Sequence, residues 1–237
     1  MISSLFVLAA IAPQEAMKQT YVFPGMPTVT VAAGTPQPEM MWHSVTITLG
    51  ATHATVEATS LFRNLSDKPI KATLGLPMYV VGTPIGRISP HKVLWNNATV
   101  NPSQRSGPFT IGMENIFFRN RGATNVTKDL YPVSFPAKAQ QSVKTSVTVP
   151  ISKVDLDGVA RQVSYRFEAQ PNMLSSLQVA IKYDRNLVFS PIGATPQWGE
   201  WQIGANGAFM KRTNVNLPEP REMSFQYYPN DINPGGG

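Results

Sequence analysis

The 237-residue chain has no cysteine, which excludes disulfide scaffolds, thiolate metal sites and thiol nucleophiles. Charge is scarce: Asp, Glu, Lys and Arg make up 14% of residues, while 42% are hydrophobic. That balance is opposite to the highly charged, weakly hydrophobic composition that keeps chains disordered. No apolar run reaches the ~18 residues of a membrane-spanning helix, so no transmembrane span is expected. No amphipathic pattern of helical length occurs either, and 21 prolines and 17 glycines interrupt any long helix. Also missing are a Gly-x-Ser-x-Gly elbow, a phosphate loop, a dinucleotide fingerprint and a His-Glu-x-x-His pair. His43, His53 and His91 are too far apart in sequence to form a local metal motif. Their spacing suits ordinary surface or half-buried histidines. No enzyme, cofactor or metal is therefore expected.

What is present is alternation. Val45, Ile47 and Leu49 interleave with Thr46 and Thr48, the period of a half-buried strand. Residues 52–62 continue in the same style and stop at Arg63-Asn64-Leu65-Ser66-Asp67-Lys68-Pro69, a stretch of turn chemistry. A returning strand from Ile70 to Leu76 predicts a hairpin with the strand before it. Asn96-Asn97 between Val93-Leu94-Trp95 and Ala98-Thr99-Val100 predicts a tight hairpin, as do Asp157-Gly158 and Asn206-Gly207. Further strands are expected at 142–151, at 159–169 (Val163, Tyr165 and Phe167 on one face), and at 177–183, 198–203, 208–213 and 223–228. A short helical turn is expected at 171–177. Short strands at regular spacing read as all-β, an antiparallel β-sandwich that is either single or two packed subdomains.

The organisation read from composition is a signal peptide at 1–16, an extended Pro-rich lead-in at 17–42, an N-terminal β-sandwich at 43–137, a C-terminal β part at 138–228 and a frayed tail at 229–237. Leu5–Ala12 has the length of a secretory apolar core and reads as a signal peptide, with a first strand or buried N-terminal tail as the alternative. Within 17–42 one edge strand is expected at Thr28–Val31.

Phe62-Arg63-Asn64 at a strand end, Ser66-Asp67-Lys68-Pro69, then Ala72 to Leu76 running into Pro77-Met78 resemble the vault protein inter-alpha-trypsin domain. Phe135-Pro136-Ala137 before a Val-rich strand is similar to that family's second conserved part. Val163-Ser164-Tyr165 and Asn216-Leu217-Pro218 resemble a bacterial secreted family of unknown function. The resemblance implies a β-sandwich interaction or scaffold module, secreted or periplasmic, with no catalytic residues to carry over.

Charge is concentrated in the middle of the chain. Lys68, Lys71, Arg87, Lys92, Arg105, Arg119, Arg121 and Lys128 face only Glu114, so residues 68–128 carry +7 and the rest of the chain −1. Phe117, Phe118, Arg119 and Arg121, with Lys128, set aromatic beside basic residues and are the candidate contact for an anionic envelope polymer or a protein partner. A solvated loop facing acids elsewhere is the alternative. No recognition helix or RNA-binding motif is visible, so nucleic acid is not expected. The resulting expectation is a noncatalytic exported binding or structural module. A coat or assembly protein, and a sugar-cleaving enzyme using Glu200 between Trp198 and Trp201, are the alternatives.

Overall fold

The computed structural model describes residues 21–81, 89–114, 121–153, 159–195 and 201–230. Among these are seventeen strands and no helix. In order they are β1 Tyr21–Pro24, β2 Thr28–Val31, β3 Glu39–Leu49, β4 His53–Arg63, β5 Ile70–Val81 and β6 Lys92–Trp95. Next come β7 Ala98–Val100, β8 Gln104–Glu114, β9 Arg121–Phe135, β10 Gln140–Pro150, β11 Ser152–Lys153 and β12 Arg161–Phe167. The last are β13 Leu174–Lys182, β14 Val188–Thr195, β15 Gln202–Gly204, β16 Gly207–Val215 and β17 Arg221–Pro229.

The fold is an all-β sandwich. One layer is an eight-stranded sheet, β15-β16-β13-β3-β4-β10-β6-β7. Opposite it lie a five-stranded sheet, β1-β5-β9-β8 with β2 also on β5, and a four-stranded sheet, β11-β12-β17-β14. A parallel bridge between Gly25 and Arg166 ties these two together, with the Met26 N–H donating to the Arg166 carbonyl at 2.8 Å. The eight-stranded sheet takes strands from both sides of residue 137. The lead-in supplies β1 as well as the expected β2, and both pair with β5.

The period-2 pattern explains the packing. Val45, Ile47 and Leu49 of β3 turn inward and meet Phe135, Tyr165, Phe167 and Phe225 in one apolar core. Aromatic contacts join the layers: Phe62 and Trp95 meet Phe135 edge-on, and His43 lies over Tyr165. Burial of this kind contributes ~25 cal/mol per Å² of apolar surface removed from water.

Three sequence expectations are corrected. β4 and β5 do not pair: β4 lies between β3 and β10, whereas β5 lies in the opposing layer. The Asn64–Pro69 turn is a corner between layers. The Asn64 amide donates to the carbonyls of Lys68, Phe135 and Pro136, and its Oδ1 accepts the Ser66 N–H at 2.9 Å. Residues 171–173 form no helical turn and lead directly into β13. That strand runs parallel to β3, the one parallel strand pair among the described residues. The β15–β16 turn falls on Ala205-Asn206, since Gly207 already pairs with Gly204. The Asn96-Asn97 hairpin forms as expected, both residues with positive φ. Asp157-Gly158 lies outside the described residues.

Candidate functional site

The outward halves of the strands in the eight-stranded sheet carry short polar side chains. Register aligns them into two rows. One runs Thr46, Glu57, Ser146, Lys92 across β3, β4, β10 and β6. The other runs Ser44, Thr59, Lys144, Leu94, Thr99 across the same strands and β7. Neighbouring strands are ~4.8 Å apart, so each row spans four or five side chains at that spacing.

Toward β6 and β7 these rows become the floor of a trough of about 810 Å³, and all nine residues line it. Its wall is Ser89, Pro90 and His91 on one side and Asn101 and Pro102 on the other. Ligand pockets typically run ~300–1,000 Å³.

The wall is anchored to the opposing layer. Asp129 of β9, buried in the core, accepts from both the backbone N–H and Nδ1 of His91 at 3.2 Å. Its other oxygen accepts from Arg105 Nε at 2.7 Å, and the Tyr131 hydroxyl donates to the His91 carbonyl at 2.9 Å. Burial works against the Asp129 charge. Hydrogen bonds from His91 and Arg105 and the guanidinium charge outweigh it and hold the carboxyl well below the usual range. An ionised Asp129 fixes a proton on His91 Nδ1. His91 Nε2 is then buried in the wall with no partner among the described residues.

The floor is equally unengaged. The hydroxyls of Ser44, Thr46, Thr59, Thr99 and Ser146 make no hydrogen bond to another described residue, and neither Glu57 nor Lys92 has an ion-pair partner among them. Lys144 reaches Asn97 Oδ1 at 3.1 Å.

A second polar cluster lies on the four-stranded sheet. Its cross-strand pairs are Gln162 with Gln226, Ser164 with Ser224, and Arg166 with Glu222. The two serine hydroxyls are 2.7 Å apart, and Ser224 donates to Glu222 at 3.1 Å. Burial raises the Glu222 pKa, opposed by hydrogen bonds from the two serines and by the Arg166 charge. Tyr79 donates to Glu168, and Arg166 sits over the Tyr79 ring at 5.1 Å. These polar groups largely satisfy one another where β12, β17 and β5 approach, a structural role.

The sequence-predicted contact is not assembled in one described place. Phe117, Phe118 and Arg119 lie outside the described residues. Arg121 opens β9 opposite Glu114. Lys128, half-buried, stands seven residues further along the same strand, roughly 23 Å away at ~3.3 Å per residue. Glu200 and Trp198 also lie outside the described residues. The histidines are not ordinary surface residues as a set: His43 and His91 are buried and hydrogen-bonded, and only His53 is exposed. The trough residues carry no motif. Their one signal is the Ser/Thr half of each alternating strand, which marks an outward face without saying that faces 10 to 100 residues apart would adjoin.

No family model matches the chain, and no curated protein matches it. A Legionella pneumophila protein described as a candidate nutrient binding protein superposes with a TM-score of 0.60 at 12% identity, over 89% of this chain and 72% of that one. The likeness shows a shared fold. Yeast LTA4 hydrolase in complex with bestatin aligns at a TM-score of 0.36 and 7% identity, over 79% of this chain and 28% of its own, and carries no argument.

Proposed function

We propose that the chain is a noncatalytic binding module of the bacterial cell envelope that seats a small polar solute in the trough. The observation that carries this reading is the pair of cross-strand rows, Thr46–Glu57–Ser146–Lys92 and Ser44–Thr59–Lys144–Leu94–Thr99, whose polar groups are largely unused by the fold itself. Concave sites with a few convergent polar groups are the usual seats of small ligands. His91 and Asp129 have the geometry of a dyad, but among the described residues no hydroxyl bonds His91 Nε2 to serve as a nucleophile. The fold shared with a candidate nutrient binding protein is in keeping with solute binding. The resemblance to the inter-alpha-trypsin domain points the same way, and Leu5–Ala12 would direct export.

Thermal melting with sugars, amino acids and dicarboxylates in large excess tests the reading. At a hundredfold excess over Kd, a true ligand raises the melting temperature by about 5–10 °C. Thr46→Trp, which fills the floor, abolishes the rise. No rise with any solute contradicts the reading.

The segment Phe117–Arg121 is proposed as a separate contact with an anionic envelope polymer. Retention on an anionic glycan resin that is unchanged by Arg119→Glu with Arg121→Glu removes that contact.

A further inference from the structure

We infer that the solute held in the trough is a short neutral carbohydrate. This rests on the binding reading above and narrows it to a ligand class.

The floor mixes hydrogen-bonding roles at close spacing. Glu57 only accepts, Lys92 only donates, and Ser146 between them does both. A matching ligand must offer donors and acceptors every few ångströms along its length. Adjacent hydroxyls on a sugar ring do so at every position, because each hydroxyl both donates and accepts.

His91 adds a second, independent demand. Its Nδ1 is committed to Asp129, and its other ring nitrogen, Nε2, is buried without a partner among the described residues. A ligand hydroxyl, which both donates and accepts, is a partner for such a nitrogen in either protonation state.

Charge argues against ionic solutes. Glu57 shares the floor with Lys144, in the other row on the adjacent strand, and with Lys92, two strands along its own row, so an anion meets the carboxylate and a cation meets the lysines. A neutral ligand avoids both penalties.

Sheet position argues against a peptide. Extended peptides gain affinity by adding to an open strand edge. Most of the floor is the middle of a sheet, where β4, β10 and β6 are each paired on both sides, and only Thr99 lies on the terminal strand β7. Leu94, 37% exposed, with Pro90 and Pro102, supplies the apolar patch that the C–H face of a ring would cover.

Calorimetric titration of the full chain with maltotriose, cellotriose and chitotriose, beside trialanine and citrate, tests the inference. At least one trisaccharide is expected to bind. Glu57→Gln and Leu94→Ser then weaken it about tenfold or more, while Lys211→Ala, on the same face but outside the trough, leaves it unchanged. Glu57 and Leu94 are exposed, so both variants keep the wild-type melting temperature without ligand. Binding of trialanine or citrate with no trisaccharide overturns the carbohydrate class and leaves the binding reading standing. No binding by any of the five overturns the carbohydrate class, and the binding reading falls with it only if the wider set of sugars, amino acids and dicarboxylates also gives no rise in melting temperature. Trisaccharide binding untouched by either variant overturns the placement in the trough.

Discussion

His43 and Ser60 stand opposite each other in the β3–β4 register, with Nδ1 and Oγ 2.8 Å apart in the core. The other ring nitrogen of His43 meets the Tyr165 hydroxyl at 2.9 Å, so one imidazole joins the two layers of the sandwich. Burial pushes the His43 pKa down to about 3. Because that value lies below the ordinary ~6.5, the unfolded chain takes up the proton first. The stability supplied by neutral His43 is complete above pH ~6.5 and is lost progressively as pH falls toward 3, at about 1.4 kcal/mol per pH unit. Urea unfolding of the wild type and of His43→Leu across that range should show a flatter pH slope in the variant. The variant should also be about 2–4 kcal/mol less stable at neutral pH, because two buried hydroxyls lose their partner. Equal slopes would mean that His43 is protonated or solvated in the fold.

Asn64→Ala should destabilise by about 2–3 kcal/mol. It removes the amide that satisfies three carbonyls, two of them more than seventy residues away, and the acceptor for Ser66 N–H. Urea unfolding measures this, and a loss below ~0.5 kcal/mol would show that the corner holds without it.

Two glycines should behave oppositely. A Cβ on Gly207 would lie 2.5 Å from the Ile181 carbonyl oxygen, which is backbone and cannot swing aside. Gly207→Ala should therefore cost about 1–3 kcal/mol through the β13–β16 pairing. A Cβ on Gly193 meets nothing within 4 Å. Gly193→Ala should change stability by less than ~0.5 kcal/mol. Paired thermal melts decide both.

Asp129→Ala removes the acceptor of Arg105 Nε and frees the His91 wall. A cost of about 3 kcal/mol is expected from breaking a buried charged network. The contribution of Asp129 is present above the ordinary carboxylate pKa of ~4 and is lost as pH falls below it, since its folded pKa is depressed. Chemical unfolding at neutral pH and near pH 3 should therefore show the gap between variant and wild type narrowing in acid.

The strands were legible in the sequence because alternation is a local property. Val45, Ile47 and Leu49, or Val163, Tyr165 and Phe167, declare a buried face wherever the strand is placed. Pairing was less legible. Arg63 to Pro69 reads as a reversal, but turn chemistry does not choose the strand that follows it, and the partners of Asn64 lie at Phe135 and Pro136. β14 escaped notice because Pro191 and Gly193 interrupt its pattern. It is an edge strand with two register shifts, a position that tolerates both residues. The trough was not legible. Glu57, Lys92 and Ser146 adjoin only through the registers of β4, β10 and β6, and the floor draws on five strands, β3, β4, β6, β7 and β10.

The central claim is that the trough is the ligand seat. Its most direct test is backbone and side-chain NMR of the labelled chain during titration with the trisaccharides. The account predicts shifts centred on Glu57, Lys92, Leu94 and Lys144, with His91 Nε2 moving as it gains a hydrogen-bond partner. Shifts absent from these residues while others move, whether at 117–121 or on the four-stranded sheet, would contradict it.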